Sequence, residues 1–391
     1  VLFHRQLINL KFQERSSRRY QLRAEVDLWR DDADFQESGD RFRARLREGY
    51  VKISFRDADL RIGRMQIAWG EADGVIVSDQ VSPFDLENFI VPPFDEIRLG
   101  VDAVKLDYYF EGGSILELAW ISHFTSPDFP EDGSPWTFVD DTDLAAFGPI
   151  ALTLTDVKKP AKTFANSEVA LRLRGFGTKA DWQIGYLWAW DDRPALRVRL
   201  SDGLVEPTHE RFHLVVAGLT APLGPVLITG DTALEIDRRL SILPGPNDDP
   251  AAFVAAEFVS KENVWRSVVA VDFKPEVPGW EQANATLQLV HERVLAPSAP
   301  LAEDQKTYLA SARLTAAYLN ETIKPSILAI ASLEGDSTWV QAKCDWEPID
   351  NWRLTMEYDL FDGHTFDGSN GGIFGRFANN DVVFARVRYS F

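Results

Sequence analysis

Apolar and polar residues alternate along most of this chain with a period of two. In the closing segment DVVFARVRYSF, Val383, Ala385, Val387, Tyr389 and Phe391 share one face and Phe384, Arg386, Arg388 and Ser390 the other, because successive side chains of a strand point to opposite sides. YQLRAEVDLWR sets Tyr20, Leu22, Ala24, Val26 and Leu28 against Gln21, Arg23, Glu25, Asp27 and Trp29. WVQAKCDWE sets Val340, Ala342, Cys344 and Trp346 against Gln341, Lys343, Asp345 and Glu347, and WRLTMEYDLFD repeats the scheme from Trp352 to Phe361. Matching this template along the chain predicts about seventeen strands, and helical periodicity is hard to find.

Strands with one apolar face suit the core of a large water-soluble β protein or the wall of a membrane barrel. The connectors separate the two. RDAD at Arg56, EGG at Glu111, GTK at Gly177, APLG at Ala221, KPEVPG at Lys274 and EPIDN at Glu347 are short. Between them stand long segments rich in Asp, Pro and Gly at 71–99, 126–166, 192–210, 241–261 and 363–380. A sandwich has no reason to keep its long loops at one end, whereas an outer-membrane barrel has tight periplasmic turns and long extracellular loops. The pattern therefore predicts an all-β fold, a transmembrane antiparallel up-and-down β-barrel of about 16–18 strands, with residues 1–391 as one domain.

If the last strand runs inward to a periplasmic Phe391, the first visible strand also runs inward. An even strand number then requires either a strand upstream of Val1, giving about eighteen, or one segment miscounted, giving sixteen. Phase slips near Gly49 and Arg64 read as bulges. Trp29, Trp69, Trp188, Trp190, Trp265, Trp339, Trp346 and Trp352 are candidates for aromatic girdles at the two interfaces, some of them turned inward.

Composition narrows the function classes. The net charge of -19 argues against a nucleic-acid surface, which needs a basic stripe. With one cysteine, Cys344, neither an internal disulfide nor a CxxC metal site is available. No apolar run reaches the roughly 18 residues of a spanning helix, but barrel strands need only about 9 to 11. The start at Val1 implies a removed leader or a fragment of the mature protein.

Gly63, Arg64, Gln66, then Trp69 through Gly74, then Asp79, Ser82, Pro83 and Asp85 form a spaced motif. It resembles that of a large family of Gram-negative outer-membrane β-barrel proteins of unassigned function, distantly similar to alginate-export-type porins. Serine stands at 82 where that family usually has asparagine, and Met65 precedes Gln66. NSEVALRLRGFGTKADWQIGYLWAWDDRP and the ending FGRFANNDVVFARVRYSF also look like the family. The resemblance implies a barrel in the outer membrane of a Gram-negative bacterium. Phe391, with Tyr389 and Val387 before it, is similar to the signal read by the barrel-assembly machinery.

The face opposite the apolar one carries the candidate chemistry. Arg23, Glu25, Asp27, Arg172, Arg174, Lys343, Asp345, Arg353, Glu357, Asp359, Arg386 and Arg388 are expected to line a pore. There they act as a selecting field of charges or as cross-strand ion pairs that hold register. The acidic excess gathers in loops, including Asp79, Asp85, Glu87, Asp95 and Glu96, and Asp128, Glu131, Asp132, Asp140, Asp141 and Asp143. No twelve-residue calcium loop is present, so solvated surface charge is the expected reading. The apolar stretches VIV and FIVPPF within 71–99 predict that this loop folds inward as a constriction or packs on a partner.

Enzymatic readings are weak. His364 and Ser369 in GHTFDGSNGG superficially resemble the residues of an outer-membrane phospholipase, but five residues apart they would take opposite faces of a strand. No phosphate loop or nucleophile elbow occurs, and no cofactor or metal is expected. The leading expectation is a porin-like channel passing small polar or anionic solutes by passive diffusion. Its alternative is a structural barrel that houses or docks a partner, such as a multihaem cytochrome or an export-complex component. The expected partners are outer-membrane lipid, the barrel-assembly machinery and a periplasmic or lumen-bound protein, with no nucleic acid.

Overall fold

The computed structural model describes residues 5–31, 42–70, 76–89, 92–130, 134–138, 152–199, 201–243, 258–302, 304–334, 337–363 and 372–390. Seventeen strands form one sheet. They are β1 (Arg5–Glu14), β2 (Tyr20–Asp31), β3 (Phe42–Ser54), β4 (Ala58–Met65), β5 (Val101–Tyr109), β6 (Ile115–Ile121), β8 (Glu168–Gly175), β9 (Asp181–Trp190), β12 (Arg211–Leu223), β13 (Val226–Ser241), β14 (Val259–Phe273), β15 (Gln282–Leu295), β16 (Lys306–Ala317), β17 (Ile323–Ser332), β18 (Ser337–Trp346), β19 (Trp352–Gly363) and β20 (Val382–Tyr389). Each pairs antiparallel with the next, from β1 on β2 to β19 on β20. Among the described residues no segment drops out to leave sixteen. A second sheet of three short strands, β7 (Thr153–Leu154), β10 (Ala195–Arg199) and β11 (Leu204–Thr208), stands at the long-loop end.

Burial shows which face is which. Val269, Leu287, Ile184 and Val383 are about half exposed or more, at 53%, 50%, 51% and 74%, whereas Glu235 and Asp359 are at 0% and Glu117 at 2%. This inverts a water-soluble protein, in which large exposed apolar patches are confined to binding sites. It is what a wall facing hydrocarbon requires. The long segment 66–100 confirms the curvature, because it touches strands all round the sheet. Its side chains reach Arg43 on β3, Glu117 on β6, Glu235 on β13, Phe361 on β19 and Arg386 on β20. A flat sheet could not present all of these to one segment. The fold is a transmembrane antiparallel β-barrel with its charged face inward.

Connectors alternate between the two ends as the pattern predicted. The long ones are 66–100, 122–167, 191–210, 242–258 and 364–381. The fourth is shorter than the expected 241–261 because β14 begins at Val259, and 296–305 and 333–336 at the same end are short. The slip near Gly49 is a bulge. Glu25 faces Glu48 and Val26 faces Leu46, leaving Arg47 as the extra residue of β3, so that Arg45, Arg47 and Glu48 all reach inward partners. The slip at Arg64 is not a bulge, since β4 keeps register with both neighbours.

Among the tryptophans, Trp265, Trp346 and Trp352 are exposed at 40% or more on the apolar face. Trp29 and Trp339 point inward and are buried, and Trp69 is buried in the loop, so these three leave the girdle. Each is taken up by a lumen interaction: Arg45 stacks on Trp29, and the Trp339 and Trp69 indoles donate to Asp359 and Glu117.

Candidate functional site in the barrel lumen

Register builds the first cluster. Asp107 faces Glu117, and Glu117 faces Arg172, so two carboxylates meet across β5 and β6 and need Lys105 and Arg172 as counter-charges. Lys105 Nζ lies 2.5 Å from Asp107 Oδ1 and 2.6 Å from Glu117 Oε2, and Arg172 Nη2 lies 3.2 Å from the same Glu117 oxygen. The row continues through Gln183, which accepts from Arg172 Nη1 at 3.3 Å and donates to Asp231 at 3.2 Å. Gly218 stands directly between Gln183 and Asp231. A Cβ there would overlap Asp231 Oδ1 and approach Gln183 Nε2 to 2.8 Å, so the bare backbone is what lets the two meet. Gly185 does the same for the loop, since its missing Cβ would come within 3.0 Å of the Trp69 ring.

A second cluster surrounds Glu235. Arg193 Nη2 and Arg238 Nη1 approach it to 3.1 Å, Arg266 Nε to 3.3 Å and the Gln80 amide to 2.9 Å. A register shift in β13, with Asp237 at φ 60°, brings Glu235 and Arg238 to the same buried side despite their odd spacing.

Of the twelve residues singled out in the sequence, Glu25, Asp27, Arg172, Glu357 and Asp359 are buried, opposite the exposed apolar face of their strands. Arg23 pairs with Glu25 at 3.1 Å, and Asn9 donates to both Glu25 and Asp27. Arg174 stacks on Phe176. Lys343 sits 3.7 Å from Asp345, which accepts from Thr355 at 2.5 Å. Gln341 bridges Glu357 and Asp359 at 3.2 and 3.0 Å. Arg353 turns away to the rim and pairs with Glu347 at 2.6 Å. Arg386 and Arg388 converge on one oxygen of Glu96. They form several separate groups around the wall rather than one ring. Val387 and Tyr389 are exposed on the outer face, and Phe391 lies outside the described residues.

The described residues of 66–100 lie against the inward face of the wall. Met65, Ile67, Trp69, Val77 and Val81 pack with Ala119, Ala170, Leu187, Leu214 and Val216 of the wall. Further along, Phe89 joins Trp136 and Phe377 of two other loops against Trp339 and Phe361. Among the described residues, Asp79, Asp85, Glu87, Glu96 and Asp128 meet arginines, which corrects their reading as solvated charge. Arg43 holds Glu87 at 3.0 Å, and Arg45 holds Asp85 at 2.5 Å and Asp128 at 2.7 Å. Arg47 donates to the Glu96 carbonyl at 2.9 Å within the short helix α1 (Phe94–Ile97). Asp79 pairs with Arg98 and accepts from the Trp69 N–H at 2.8 Å. Burial, reinforced by the neighbouring Asp85 carboxylate, pushes Glu87 up to about 7 against the pull of Arg43. Burial also raises Asp79 and Asp128 above the ordinary aspartate value, although Arg98 and Arg45 oppose it. Oxygens of Asp85, Glu87 and Asp128 lie within 4.8 Å of one another, with Arg43 and Arg45 supplying the counter-charge.

Sequence reasoning missed Lys105, Asp107, Glu117, Asp191, Glu235, Arg238 and the Arg43–Arg45–Arg47 row. In VDAVKLDYY, Lys105 and Asp107 share a face with Val101 and Ala103, and that face looks mixed because its upper half packs on the loop. The signal was the arginine spacing of two in FRARLR, read across Ala44 and Leu46. Glu71–Gly74 of the spaced motif, Glu131, Asp132, Asp140, Asp141 and Asp143, and His364 and Ser369 lie outside the described residues.

Residues 9–197, just under half of the chain, match the model of a family described as "Protein of unknown function (DUF1302)". No curated protein sequence matches the chain. Among solved structures, the outer membrane protein OpdK from Pseudomonas aeruginosa superposes with a TM-score of 0.53 at 8% identity, over 93% of this chain and 89% of that one. OccK8 (OprE) of Pseudomonas aeruginosa gives 0.52 at 9% identity over 92% and 89%. OccAB1 of Acinetobacter baumannii gives 0.51 at 10% over 98% and 89%. At these identities the likeness is one of fold, and the fold shared is that of outer-membrane barrels.

Proposed function

We propose that this protein is a porin-like channel passing small polar or anionic solutes by passive diffusion across the outer membrane of a Gram-negative bacterium. The observation that carries the reading is the constricting segment 66–100, clamped by carboxylates onto Arg43, Arg45, Arg386 and Arg388 of the inner wall. A narrowed, charge-lined passage selects by size and field. Arg23, Glu25, Asp27, Arg172, Arg174, Lys343, Asp345, Arg353, Glu357, Asp359, Arg386 and Arg388 line it. The inward-folded loops occupy the upper lumen that a housed partner would need, which favours a channel over a sheath.

In the same reading the exposed apolar face meets outer-membrane lipid, and Val387, Tyr389 and Phe391 are presented to the barrel-assembly machinery. OpdK has been solved with vanillate, an aromatic carboxylate, and such anions are a natural first panel. The kinship to alginate-export-type porins belongs to the proposal too, carried by the spaced motif. The test is ion current through the purified protein in a planar bilayer, with the reversal potential measured across a KCl gradient. A potential biased toward chloride supports the reading, and the absence of any current from folded protein would sink it.

A further inference from the structure

We propose that Arg386 and Arg388 of β20 form a binding site for the carboxylate of a small organic anion, which Glu96 occupies as a tethered surrogate until the solute displaces it. The inference rests on the channel reading and names the group that operates the constriction.

Arg386 Nη1 lies 2.8 Å from Glu96 Oε1, and Arg388 Nη2 contacts the same oxygen. Two guanidiniums, two residues apart on one strand face, thus point at one carboxylate oxygen. Charge-assisted hydrogen bonds of this kind are roughly twice as strong as neutral ones. Arg47 takes the Glu96 backbone carbonyl from the other side, so α1 is suspended between β3 and β20.

Neighbouring contacts repeat the theme, with Asp85 and Glu87 of the same segment on Arg45 and Arg43. These arginines of the wall therefore face carboxylates of the segment laid on them. Lifting the segment uncovers cations facing water at the point where a solute must pass. A solute carboxylate then gains the interactions that Glu96 gives up. Arg386 and Arg388 are 24% and 43% exposed and Glu96 23%, so water and small anions reach the pair without unfolding the barrel. A ligand opens a gate only by its differential affinity for the open state, and here that difference is built in, since the closed state has already filled the site.

The experiment compares single-channel records in planar bilayers for the purified protein, Glu96→Gln and the double variant Arg386→Gln/Arg388→Gln, in chloride, succinate and inorganic phosphate at equal ionic strength. Heat-shifted gel mobility establishes that each variant is folded. Glu96→Gln should raise the open-to-closed ratio about tenfold in chloride, the scale of a charge-assisted hydrogen bond. Succinate should produce a similar rise in the unaltered protein, and neither variant should respond to it further. Phosphate, an anion that guanidiniums also bind, should act in the same direction and lose its effect with both arginines. Unaltered gating in Glu96→Gln, or a succinate response that survives loss of both arginines, would each overturn the proposal while leaving the channel intact. Absence of current in every variant would overturn the channel reading instead, and this inference with it.

Discussion

Acidification should close this barrel, and the size of the effect follows from Glu87. Undocked from the lumen, Glu87 returns to its ordinary value of 4.5, whereas in place it sits at about 7. Docking the segment therefore takes up a proton within that window. The contribution is fully present below pH 4.5 and is lost as pH rises through 7, so falling pH favours the docked segment. At 1.36 kcal/mol per unit the full difference is about 3 kcal/mol. Halving it for water at the mouth leaves about 1.5 kcal/mol, still a tenfold change in the docked-to-undocked ratio. Burial raises Asp79 and Asp128 as well, and both act in the same direction. The loss of the Arg43 pair on protonation is already contained in the direction of the shift, since burial and Asp85 outweigh it. The assay is ensemble conductance in planar bilayers between pH 8 and pH 5 at about 0.1 M salt, where the Debye length is about 10 Å. Conductance should fall on acidification with a midpoint near 7, and Glu87→Gln should flatten the upper part of the curve. Conductance that rises as pH falls, or a midpoint indifferent to Glu87→Gln, would refute the reasoning.

Three further predictions concern stability. Glu117→Ala leaves Lys105, Arg172 and the Trp69 indole without their shared acceptor. It should cost about 3–5 kcal/mol, visible as a lower temperature of heat-shifted mobility; an unchanged temperature would show that the cluster is too wet to matter. Val269→Arg places a charge on the outer face, where a residue at the bilayer midplane costs about 2–4 kcal/mol. Refolding yield into lipid vesicles should drop, and a neutral result would mean that this strand face does not meet hydrocarbon. Gly218→Ala drives Asp231 and Gln183 apart, with an expected loss of about 1–3 kcal/mol for the separated buried groups. Gly112→Ala, which has open space around its Cβ position, is the control that should be silent.

What the sequence shows and what it hides divide along one physical line. Alternation reveals a strand because a two-residue period is local, and the end of each strand is marked by the residues beside it. Val383 and Arg386 therefore declare opposite faces without any knowledge of their neighbours. The outer face is legible because lipid demands the same thing of every residue on it. The inner face meets water, ions, opposite strands and a loop from elsewhere in the chain, so its demands differ from one residue to the next. Val101 and Ala103 are apolar and Lys105 and Asp107 charged on one face of one strand, and only the position of Trp69 and Val81 relative to them explains the change. The bulge at Arg47 makes the same point, since its phase slip was visible while its purpose was not. An extra residue there keeps three charged side chains on the lumen side, and the reason appears only when Glu96, some fifty residues later, comes to rest on Arg47. The loop carboxylates resemble surface charge in sequence because nothing near them is basic apart from Arg98. Arg98 holds Asp79 within the loop, but the other counter-charges lie on β3 and β20, at opposite ends of the chain. A sequence read locally will overstate how freely such an acidic loop moves, since most of the ion pairs that fix it are long-range.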